Sequence, residues 1–119
     1  MSAQLTDTKP WLRKRRSQRV ELIVPVVLHS PSRQGPLFSE RTETLVVNAH
    51  GALVALTEKV ALKQRLFMQN TNSGEQKECR VVYVEKQLSG RTNVAVEFTQ
   101  PAPSFWRLAY PPADWSASA

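Results

Sequence analysis

The chain has 119 residues and a formal net charge of +6. That length suits one domain, which buries roughly two-thirds of the surface its unfolded chain exposes and needs no covalent staple. Its single cysteine, Cys79, excludes an internal disulfide and points to a reducing compartment. No apolar run reaches the roughly 18 residues of a membrane-spanning helix.

The charge is concentrated at one end. Residues 1–19 hold six basic side chains (Lys9, Arg13, Lys14, Arg15, Arg16 and Arg19) against Asp7, a net of +5. The remaining residues hold ten basic and nine acidic side chains, a net of +1. A nearly neutral body with a cationic end implies an anionic partner. Residues 1–12 read as a flexible tail, residues 13–100 as the folded domain and residues 101–119 as a Pro- and aromatic-rich extension. Arg15-Arg16 ahead of an apolar run superficially matches an export signal. Glu21 and Pro25 interrupt that run and no small-residue cleavage site follows, so a cytoplasmic location is expected.

In chain order, Val20, Leu22, Val24, Val26 and Leu28 share one parity. This is the period-two signature of a strand with one buried face. Pro25 lacks an amide donor and calls for an edge position or a bulge. Residues 30–36 are loop by composition. Residues 41–47 read as a second strand, 48–51 as a turn and 52–56 as a third strand. Residues 65–70 form a fourth, Thr71-Asn72-Ser73-Gly74 a hairpin turn, and residues 75–84 a fifth. Residues 88–91 turn into a sixth, in which Val94, Val96 and Phe98 share a face. Six short strands without a long helical stretch predict a small six-stranded antiparallel β-barrel, an all-β fold. Phe105, Trp106, Tyr110 and Trp115 are expected to pack back on that barrel, with room for at most one helical turn among the prolines.

The motifs argue against catalysis. His29, His50, Asp7 and Asp114 are far apart in sequence. No Cys/His spacing suits zinc, no Gly-rich loop precedes a helix, and no carboxylate pair stands out for acid–base work. The expectation is a non-enzyme with no metal or cofactor.

Two elements suggest binding instead. The first is Arg15-Arg16-Ser17-Gln18-Arg19. A guanidinium donates bidentate bonds to phosphate oxygens, matches the O6 and N7 acceptors of guanine, and stacks on a base. The second is the Asn48-Ala49-His50-Gly51 turn. Asn48 brings an amide, and Gly51 permits a positive φ or close approach to backbone. Each element alone is compatible with a solvated tail or an ordinary turn.

Together, Arg15-x-x-x-Arg19, the Asn/Gly turn some thirty residues later, Arg80-Val81-Val82-Tyr83-Val84 and Val94-Ala95-Val96-Glu97-Phe98 resemble the PilZ domain family, whose members bind cyclic di-GMP. The resemblance covers roughly residues 13–98 and implies a six-stranded antiparallel barrel. It implies that Arg15 and Arg19, supported by Arg16 and Lys14, contact guanine and phosphate. It also implies that Asn48 and Gly51, with Val46 and His50 beside them, form the opposing part of the site. Anchoring the family's second motif on Gly51 puts Val46 where an acid or amide is usual and Asn48 where a serine is usual. Ala95 stands where glycine is usual. The leading expectation is a cyclic di-GMP receptor that signals to a downstream protein by ordering its N-terminal arm. Two alternatives stay open: a PilZ-like protein-interaction module without nucleotide binding, and a basic nucleic-acid-binding barrel. The near-neutral body weighs against the last.

Overall fold

A computed structural model describes residues 18–30 and 39–117. Seven strands and one short helix make up these residues: β1 (Val20–Glu21), β2 (Pro25–His29), β3 (Ser39–Asn48), β4 (Gly51–Leu56), β5 (Arg65–Asn70), β6 (Gln76–Lys86), β7 (Thr92–Phe98) and α1 (Ala113–Ala117). All pairings are antiparallel. The sheet runs β1-β3-β2-β5-β6-β7-β4, and a further β3–β4 pairing closes β2 to β7 into a six-stranded barrel with β1 as an added strand. Closure leaves no long unpaired edge on the barrel strands.

The expected first strand is two strands. Both β1 and β2 pair with β3, but Glu21 opposes Val46 whereas Pro25 opposes Glu43. One extra residue is therefore accommodated between them. Thr44 bridges this gap: its Oγ1 donates to Leu22 O at 2.6 Å and accepts from Val24 N at 2.9 Å, and its own N–H donates to Val24 O at 3.0 Å. Pro25 follows directly, so its missing donor is met by an irregularity rather than a barrel edge.

The interior is filled by alternate residues of every barrel strand. Val26, Leu28, Val47, Val54, Leu56, Leu66, Met68, Cys79, Val81, Val94, Val96 and Phe98 are all buried in one core. Burial pushes the Cys79 thiol up to about 12, with the Glu78 carboxylate adding to the effect. The group is a packing residue rather than a nucleophile.

Residues 99–117 cover one end of this core. Phe105 and Trp106 meet edge to face with ring centroids 4.8 Å apart, and Phe98 contacts both. Asn70, itself buried, donates from Nδ2 to Phe105 O at 2.8 Å. Pro111 and Pro112 precede α1, whose Trp115 is completely buried. Tyr110 departs from the expectation for the aromatics and is fully exposed. Among the described residues no helix is long and apolar enough to cross a membrane.

Candidate ligand-binding site

The β3–β4 hairpin carries the turn that the sequence singles out. Asn48 opposes Gly51, with Ala49 and His50 as the two connecting residues. Asn48 Oδ1 accepts the His50 N–H at 2.8 Å, a side-chain bond that closes the turn locally. The turn is also tied to the rest of the fold. His50 O accepts from Phe98 N at 2.7 Å, Ala49 O from Ala102 N at 2.8 Å, and Asn48 O from Trp106 Nε1 at 2.9 Å. His50 is buried, so little of its ring faces solvent.

Gly51 differs from its expected role. Among the described residues positive φ falls on Lys63, Arg107, Gly74 and Gly90, and Gly51 is not one of them. What requires glycine is the approach of β7. A Cβ built on Gly51 would lie 1.9 Å from Val96 O and 3.0 Å from Glu97 Cα. The backbone that approaches closely is the neighbouring strand.

The strand registers assemble a face around this turn. The β1–β3 ladder begins with Val20 opposite Val47, so Arg19 precedes it on the side of the Asn48 end of β3. Asn48 opposes Gly51, Gly51 opposes Glu97, Glu97 opposes Arg80 and Arg80 opposes Arg65. Opposed residues of an antiparallel ladder share a face. Their chain neighbours Val47, Ala52, Val96, Val81 and Leu66 are buried in the core, so this row lies on the barrel exterior. At roughly 4.8 Å per strand, the path over the curved surface from Arg19 to Arg80 is about 19 Å.

A second exterior row runs beside it. Glu21 opposes Val46, Val46 opposes Leu53, Leu53 opposes Ala95 and Ala95 opposes Tyr83. Val46, Leu53 and Tyr83 are half-buried and Ala95 is buried. An apolar strip therefore adjoins a polar one. Three irregularities border it: the break at residues 22–24, and register shifts that leave Leu45 and Val82 as extra residues. Each shift resets the strand parity, so Val46 and Tyr83 face outward although Thr44 and Val81 face inward.

Of the expected site residues, the fold brings Arg19, Val46, Asn48 and Gly51 to one edge of this exterior surface. Arg19 is half-buried. Lys14, Arg15 and Arg16 lie outside the described residues. The face also contains Glu97, Arg80, Leu53, Ala95 and Tyr83, none of which had been given a site role. Their signal lay in the pairing register, which relates residues on different strands, such as Gly51 with Glu97 and Leu53 with Ala95, and is not visible in local periodicity.

Chemically this curved barrel surface combines a guanidinium, an amide and a carboxylate on one row with half-buried apolar side chains on the next. It offers apolar contact for a planar ring, donors and acceptors for its edges, and the positive charge of Arg19. Among the described residues there is no cluster of three or more His, Cys, Asp or Glu side chains fit to hold a metal. No protein-family model matches the chain, and no curated protein matches it.

Proposed function

We propose that this chain is a non-catalytic receptor for cyclic di-GMP, as its resemblance to the PilZ family implies. The observation that carries the reading is that the β1–β3 ladder begins with Val20 opposite Val47, which leaves Arg19 next to the Asn48 end of β3. A cyclic dinucleotide joins two anionic phosphates to two planar, polar-edged bases. Arginines at positions 15, 16 and 19 neutralise the phosphates and fork onto guanine N7 and O6. The half-buried Val46, Leu53 and Tyr83 supply the apolar surface beneath a base. The N-terminal arm closes over the ligand, and the altered surface is what a downstream protein reads. Ordering an arm on binding consumes part of the interaction free energy, so affinity is modest.

Calorimetry with cyclic di-GMP on the wild type, Arg15→Ala and Arg19→Ala tests this. The wild type binds and each substitution weakens binding at least tenfold. No heat from the wild type at high micromolar ligand overturns the reading. Binding to generic single-stranded nucleic acid with a steep salt slope would indicate a nucleic-acid interface instead.

A second reading has an observation of its own. Gly51 is explained by the approach of Val96 O, and Asn48 Oδ1 by the turn it closes. Val46 has no polar side-chain atom. These features favour a PilZ-like interaction module that has kept the barrel and lost the nucleotide. Normal binding by Asn48→Ala would remove that residue from the ligand contacts.

A further inference from the structure

The C-terminal segment touches both halves of the candidate face. Trp106 Nε1 and Ala102 N hold the carbonyls of Asn48 and Ala49 on the turn. Ninety-six residues away in sequence, Asp114 accepts the Gln18 N–H, with its two oxygens at 3.0 and 3.2 Å. The next residue, Trp115, donates its indole Nε1–H to Gln18 O at 2.7 Å. Both backbone polar groups of Gln18 are thus held by α1 before the β1–β3 ladder begins at Val20. Trp115 is anchored in the core, so its end of the clamp is rigid. Asp114 is exposed and belongs to no part of that core.

We infer that Asp114 and Trp115 are positioning residues for Arg19. By clamping Gln18 they fix the root of the arginine segment beside the Asn48 turn. One continuous stretch, residues 102–115, then sets the spacing between the two halves of the face. Hydrogen bonds to both sides of a single residue remove its backbone freedom, the freedom a guanidinium must otherwise lose when a ligand binds. The consequence for affinity rests on the cyclic di-GMP reading; the clamp itself does not.

Asp114→Ala removes one jaw without touching the core, and Asp114→Asn keeps an acceptor for the Gln18 N–H. Amide hydrogen exchange at Gln18, melting temperature and cyclic di-GMP affinity are measured for both variants and the wild type. In Asp114→Ala, Gln18 exchange accelerates about tenfold, affinity falls about three- to tenfold, and melting stays within about 2 °C of the wild type. Asp114→Asn restores most of the protection and most of the affinity. Unchanged Gln18 exchange in Asp114→Ala overturns the inference. Equal loss of affinity in Asp114→Ala and Asp114→Asn also overturns it, because that would be an effect of charge rather than of position. If the wild type binds no cyclic di-GMP, the functional reading fails, and Gln18 exchange alone decides whether the clamp exists.

Discussion

Gly51 and Val96 approach so closely that the glycine hydrogen occupies the only space available: a Cβ there would meet the Val96 carbonyl oxygen at 1.9 Å. The contact is backbone, so no rotamer change relieves it. Gly51→Ala forces β4 and β7 apart where β4 leaves the turn. The expected cost is about 2–3 kcal/mol, read as a lower urea midpoint with an unchanged slope. Loss of ligand binding in this variant would accompany loss of stability.

Thr44 is completely buried and its hydroxyl joins Leu22 O to Val24 N. Thr44→Val keeps the shape and removes both bonds, leaving a carbonyl and an amide of the β1–β2 break without their partner. Unfolding free energy should drop by about 2–3 kcal/mol, with hydrogen exchange at Val24 rising more than at Leu66 or Met68.

Strand identity was legible in the sequence because it depends on local alternation. The parity of Val24, Val26 and Leu28, and of Val94, Val96 and Phe98, matches the burial that the barrel imposes. The turn at Thr71-Asn72-Ser73-Gly74 was legible for the same reason, and Gly74 has φ 79° there. The irregularities were not. An extra residue at Leu45 or Val82 is defined only against the partner strand, and its effect is to turn Val46 and Tyr83 outward. The reason for Gly51 was hidden likewise, since Val96 is forty-five positions away. The clamp on Gln18 is more distant still.

Glu40 gives the fold a pH dependence. Burial alone would raise its carboxyl, but N–H bonds from Glu58 and Thr57, the Thr57 hydroxyl and the charge of Arg91 outweigh that and hold it below its ordinary value. A carboxyl depressed in the folded state adds stability above its unfolded pKa, and that stability is lost as pH falls through the folded value. Chemical denaturation from pH 6 down to pH 3 should therefore show a slope that flattens in Glu40→Gln.

The Cys79 thiol, pushed up to about 12 in the core, is protonated at pH 8. A disulfide reagent such as Ellman's reagent should modify the native protein only as fast as the barrel opens, and in urea within seconds. Rapid labelling of the native state would contradict the packing described for β6.

The proposed site for cyclic di-GMP is the exterior face beside the β3–β4 turn, where Arg19 leads into β1. The most direct measurement is amide chemical-shift mapping of the labelled protein during titration with cyclic di-GMP. Shifts are predicted at Arg19, along Val46 to Gly51, and at Ala95, Glu97, Arg80 and Tyr83. The opposite side of the barrel, around Val27 and Phe67, should stay unchanged. An absence of shifts at high micromolar ligand, or shifts confined to that opposite side, would contradict the claim.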